Sequence, residues 1–149
     1  MDEDFELFNV VEQVPHPFWN GRLPNFDMML VKLDGLSTKP VLNLNQNNTI
    51  PVLTGEQLLA LGFNFVDTGG NDVRDSTFLQ EGASSYFTND DCEQFEDPTQ
   101  DLSLNNAVTS QWLCTDGSQR GICYGDAGAP LIIEGASAED DIQVGIASG

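Results

Sequence analysis

Arg120-Gly121-Ile122-Cys123-Tyr124-Gly125-Asp126-Ala127-Gly128-Ala129-Pro130-Leu131 is the most informative stretch of this 149-residue chain. Small residues packed this tightly around a single aspartate imply a backbone held in dihedrals that most residues avoid. Consecutive amides around Gly125 and Ala127, turned toward one spot, would bind an anionic oxygen. The same pattern fits a plain glycine-rich turn leading into an apolar strand. The pattern alone does not separate the two.

Outward from this stretch, helical periodicity is scarce. Met28-Met29-Leu30-Val31-Lys32-Leu33, ended by Asp34-Gly35, is a strand candidate. So is Gln57-Leu58-Leu59-Ala60-Leu61-Gly62-Phe63, ended by Asp67-Thr68-Gly69-Gly70. Phe78-Leu79-Gln80, Ser85-Tyr86-Phe87, Trp112-Leu113-Cys114, Pro130-Leu131-Ile132-Ile133 and Ile142-Gln143-Val144-Gly145-Ile146 complete the set. Short strands separated by Gly, Asn and Asp predict an all-β sandwich or barrel. Residues 38–51, rich in Asn and Pro, are expected to be a surface connection between two β units. The acidic stretch from Asp90 to Asp101 is expected to be a solvated loop. Asn47-Asn48-Thr49 is a glycosylation triplet, which matters if the protein is secreted.

The length corresponds to about one domain. Twenty-four Asp and Glu against five Lys and Arg leave a formal charge of −19. That excludes nucleic-acid binding through phosphate neutralisation, and equally an anionic membrane surface. No run reaches the roughly 18 apolar residues of a membrane span. Met1-Asp2-Glu3-Asp4 has neither the basic nor the apolar region of a signal peptide, so the chain is expected to be cytosolic or to lack its true N-terminus. Cysteines at 92, 114 and 123, no Cys-x-x-Cys pair and a single histidine, His16, argue against zinc. Without an Asp-x-Asp-x-Asp-Gly loop, calcium is not expected. No metal site is assigned.

The segment Gly125-Asp126-Ala127-Gly128-Ala129-Pro130-Leu131 resembles the nucleophile loop of chymotrypsin/trypsin-like serine proteases, Gly-Asp-Ser-Gly-Gly-Pro followed by an apolar strand. It departs at Ala127 and Ala129. Other segments agree in order. Asn25-Phe26-Asp27-Met28-Met29-Leu30-Val31-Lys32-Leu33 resembles the family's Asn-Asp-Ile-x-Leu-x-Lys-Leu, and His16-Pro17-Phe18-Trp19-Asn20 its His-Pro-x-Tyr-Asn. Gly62-Phe63-Asn64 stands where the family has Gly-Trp-Gly. Trp112-Leu113-Cys114 resembles Met-Leu-Cys, and Val144-Gly145-Ile146-Ala147-Ser148-Gly149 the strand lining the substrate cleft.

The resemblance implies a chymotrypsin-like double β-barrel, all-β, present as a partial domain. Residues 1–37 would end the first barrel, 38–51 would connect, and 52–149 would form most of the second. The family hydrolyses peptide bonds through an acyl-enzyme and needs no cofactor. Asp27 takes the position of the triad aspartate and Ala127 that of the nucleophile. The amides of Gly125 and Ala127 take the oxyanion hole. Asp126 takes the position whose carboxylate pairs with the N-terminal amine freed on zymogen activation. Gly121, Ile122, Tyr124, Ser148 and Gly149 take the specificity pocket. With Gly121 at the pocket base, no carboxylate is offered to Lys or Arg, so an apolar or small side chain is expected there. The catalytic histidine is expected upstream of Met1, and His16 corresponds to a surface turn. Cys92 and Cys114 match a family disulfide, and Cys123 would pair beyond residue 149. Partners would be a peptide or protein, and the location extracellular. A methyl group at 127 cannot attack a carbonyl, so the implied functions are an inactivated endopeptidase or a pseudoprotease that binds peptides or proteins.

Overall fold

β-branched and long apolar residues favour extended backbone where they meet across a ladder, and the first two strands are built from them. A computed structural model of the chain describes residues 5–21, 25–63, 65–67, 73–75, 78–97, 102–116 and 125–148. It divides into two compact units, Met1–Val41 and Leu42–Gly149. In the first, β1 (Val10–Pro15) pairs antiparallel with β2 (Met29–Leu33). Val14 lies opposite Leu30 and Gln13 opposite Val31, and a register shift between Val10 and Glu12 bends β1. All residues of both strands are exposed.

Two carboxylates tie the ends of this unit. Asp34 accepts the backbone N–H and the side-chain amide of Asn9 at 3.0 and 2.6 Å. Those bonds hold its carboxyl below the usual aspartate range. Glu6 accepts the hydroxyls of Ser37 and Thr38 and the Thr38 N–H, which bring its carboxyl from the ordinary 4.5 down to about 2.

The second unit contains β3 (Asn43–Leu44), β4 (Gln57–Gly62), β5 (Phe65–Asp67), β6 (Val73–Asp75), β7 (Gln80–Phe87), α1 (Asn89–Glu93), β8 (Glu96–Asp97), β9 (Leu102–Ser103), β10 (Cys114–Thr115), β11 (Pro130–Ile133) and β12 (Ile142–Ile146). Six strands form one sheet in the order β10-β7-β4-β11-β12-β3, and the pairs β5–β6 and β8–β9 form two small ladders. The pairings are antiparallel except β12 with β3. Alternation along β4 turns Leu58 and Ala60 inward, opposite Ser84 and Gly82 of β7. These small partners leave room for the core of Leu58, Ala60 and Leu131, packed by Tyr86, Leu113, Ile133 and Val144.

Several local expectations are corrected. Phe78–Gln80 and Ser85–Phe87 are not separate strands. One strand, Gln80–Phe87, runs between them because β4 pairs with it continuously from Gln57↔Ser85 to Gly62↔Gln80. That pairing overrides the weak strand preference of Gly82, Ala83 and Ser84. In Trp112-Leu113-Cys114 only Cys114 joins a strand. The stretch expected as an acidic loop begins with α1. The Thr88 hydroxyl caps it by accepting the Asp91 N–H, and Asp90 and Asp91 occupy its first turn, where acidic residues favour a helix start. The Thr54 and Thr88 hydroxyls donate to Asp91 and lower its pKa. Within the expected connection 38–51, Asn43 and Leu44 join the sheet as β3.

Two outcomes follow. A disulfide joins Cys92, buried on α1, to Cys114, across a sequence separation of 22. The entropy of closing such a loop is worth about 3 kcal/mol. Cys92→Ala/Cys114→Ala should therefore unfold at clearly lower urea than the oxidised parent, and an unchanged midpoint would mean that the cross-link does not stabilise. Glu6 is more acidic folded than unfolded, so its contribution is present above the unfolded value and is lost as pH falls through the folded one. Between 4.5 and about 2, Glu6→Gln should lose stability with acidification less steeply than the parent.

Candidate active site

Turn chemistry builds the loop ahead of β11. The Ala129 N–H donates to the Asp126 carbonyl at 2.8 Å, closing a four-residue turn with Ala127 and Gly128 at its centre. Gly128 has φ +90°, the left-handed value that the third position of a type II turn requires. Gly125, at φ +101°, also has a positive φ. The turn is then fastened to the chain after β12. The Gly128 N–H donates to the Ala147 carbonyl and the Ala147 N–H to the Ala129 carbonyl, both at 2.8 Å.

This frame sends residues 126 and 127 in opposite directions. Ala127 is exposed, whereas Asp126 is only 4% exposed. The Asp126 carboxylate lies against the end of β4, where Gly62 pairs with Gln80. A Cβ on Gly62 would sit 2.2 Å from Asp126 Oδ1 and 2.9 Å from its Cγ. Only glycine at 62 leaves the carboxylate its place. Among the described residues, the amides of Gly125 and Ala127 meet no backbone acceptor.

Asp27 belongs to the first unit and is exposed. It is the middle residue of a three-residue turn, because the Met28 N–H donates to the Phe26 carbonyl at 2.8 Å. The Met28 carbonyl accepts the His16 N–H at 3.0 Å, which joins this turn to the end of the β1–β2 ladder. Phe26 has φ +62°, a conformation that costs a side-chain-bearing residue on the order of 1–3 kcal/mol. Its ring stacks on His16 at 4.7 Å and meets Phe18 edge-on at 5.5 Å. His16 Nδ1 accepts the Phe18 N–H at 3.2 Å. The histidine is thus part of the turn's framework.

Of the remaining expected site residues, Ser148 is exposed and follows the buried Ala147. Gly121, Ile122, Tyr124 and Gly149 lie outside the described residues, as does Cys123. Gly125, Asp126, Ala127 and Ser148 belong to the second unit. Among the described residues, no group of three or more His, Cys, Asp or Glu is arranged to hold a metal ion. Gly62 was legible from sequence only as part of a motif. Its steric duty toward Asp126, 64 positions on, had no local signal, and neither did the left-handed backbone of Phe26.

A family model described as Trypsin matches residues 2–149. The chain is similar to Serine protease 1 of Homo sapiens, with 26% identity over 136 residues, covering 87% of this chain and 50% of that protein. It therefore spans about half the length of that curated relative.

The contact between residues 62 and 126 is testable. Gly62→Ala should destabilise by roughly 1–3 kcal/mol through overpacking. In an Asp126→Ala background the same change should cost clearly less, because the colliding atoms are gone. Additive effects in chemical denaturation would show that the carboxylate does not occupy this space.

Proposed function

Because the chain belongs to the Trypsin family, we propose that it is a trypsin-like serine endopeptidase homologue that does not itself hydrolyse peptide bonds. Its fold is all-β and chymotrypsin-like, of which the chain carries a part. The observation behind the proposal is Ala127. Acyl transfer by this family needs an oxygen nucleophile, a base that takes its proton, and a carboxylate that orients the base. The Ala127 methyl has no lone pair to attack a carbonyl and no proton to give up, so no acyl-enzyme forms at this position. Asp27 would orient a base, and Asp126 would anchor the loop through its family ion pair.

The loop around Ala127 favours a second reading, a pseudoprotease that binds peptides or proteins. Gly125, Gly128 and Gly62 keep the backbone and the space that such a loop needs, although its nucleophile is absent. The amides of Gly125 and Ala127 would then hold a carbonyl or carboxylate oxygen without turning it over. Gly121 in place of a carboxylate favours an apolar or small side chain in the pocket. Members of the family act on proteins or peptides and are typically secreted, and we extend both properties to this protein.

A fluorophosphonate probe should not label the purified chain, and stoichiometric labelling would overturn the proposal. Ala127→Ser in the same polypeptide should still not cleave a peptide with an apolar residue before the scissile bond. The single histidine, His16, already accepts the Phe18 N–H, and a serine hydroxyl without a base is a weak nucleophile. Measurable binding of that peptide by the unlabelled parent chain would favour the pseudoprotease.

A further inference from the structure

Asn47-Asn48-Thr49 is the one Asn-x-Ser/Thr triplet in the sequence, and neither the core nor the loop around Ala127 uses it. We propose that Asn47 is an N-linked glycan acceptor whose sugar shields the outer edge of the six-stranded sheet. The inference goes beyond protease homology and takes from it only passage through a secretory compartment.

All three residues are exposed. The Thr49 N–H and hydroxyl both donate to Asn47 Oδ1, at 3.0 and 2.7 Å. A backbone N–H can only donate, so the side-chain atom facing Thr49 is the oxygen. The Asn47 N–H donates to Asn45 Oδ1 at 2.8 Å, Asn45 Nδ2 to the Ile50 carbonyl at 3.1 Å, and the Ile50 N–H to the Asn47 carbonyl at 3.3 Å. The turn is thus cross-braced. Asn47 Nδ2 donates to no group among the described residues and is the atom left for modification.

The co-reactant is an oligosaccharide joined through its anomeric carbon to a polyprenyl diphosphate. In the transfer, Nδ2 forms a bond to that carbon, the carbon–oxygen bond to diphosphate breaks, and the diphosphate leaves with the electron pair. The Nδ2 proton passes to a base of the transferase.

The position also gives the sugar a task. Among the described residues, β3 is the outermost strand on its side of the sheet and pairs only with β12. An open strand edge is a template for pairing with another chain. Leu44 in β3 is 69% exposed, and Leu53 beyond the turn is 70% exposed. A bulky, solubilising glycan on Asn47 would stand three residues after Leu44 and six before Leu53 in the chain.

The test is to translate the full 149-residue chain, behind a cleavable secretion leader, into endoplasmic-reticulum microsomes. Protease protection reports entry into the lumen, and a gel shift removed by peptide-N-glycosidase reports the glycan. The parent should shift by one glycan. Asn47→Gln and Thr49→Ala should each abolish the shift, and Asn48→Gln should keep it. A protected parent chain without the shift, or a shift that survives Asn47→Gln, overturns the site. Because nascent chains are read, the result does not require that each variant fold. Because the leader is supplied, it does not depend on whether the native protein is secreted or hydrolytically inert. For the shielding role, glycosylated parent and Asn47→Gln protein are compared by size-exclusion chromatography. More high-mass species in the variant supports it, and identical elution overturns it.

Discussion

The packing of one carboxylate against one glycine organises the candidate site. Asp126 is nearly buried in a chain of net charge −19, where taking a carboxylate out of water is costly. Gly62, with no side chain at the end of β4, leaves the space that this carboxylate occupies. With the aspartate drawn inward, the chain turns after it, and Gly128 supplies the left-handed backbone for that turn. The hydrogen bonds between Gly128, Ala129 and Ala147 then tie the turn to the sheet. Residue 127 is left on the outside by construction.

That arrangement makes the form of the loop independent of the side chain at 127. The turn is held by backbone hydrogen bonds, two glycines and the Asp126 side chain, none of which involves the side chain at 127. Exchanging a hydroxyl for a hydrogen at an exposed position removes the nucleophile while leaving the packing nearly untouched. The residues that hold the turn are therefore different from the one whose side chain it exposes.

The region around Asp27 follows a different logic. A strained residue, Phe26, precedes the aspartate, and its conformation is sustained by the stack on His16, the contact with Phe18 and the bonds to and from Met28. The strain is local, and so are its supports, all within the first unit. His16 thus has a clear structural occupation as an aromatic and hydrogen-bonding brace.

Much of this was determined by sequence alone. The short apolar runs separated by turn residues established the all-β class, and β11 and β12 fell where those runs lie. The loop around Ala127 could be picked out as a candidate site from its residue types alone. Other features were decided only by tertiary structure. The continuous β7 through Gly82-Ala83-Ser84 exists because β4 pairs with it, and β3 because β12 offers an edge, although neither stretch has much strand preference of its own. The capped helix α1 emerged at the start of the acidic run, with its cap at Thr88, two residues before that run. The duty of Gly62 toward Asp126 was invisible for the same physical reason. A steric requirement between residues far apart in the chain leaves no periodicity or local pattern, and it comes into being only when the sheet brings the two together.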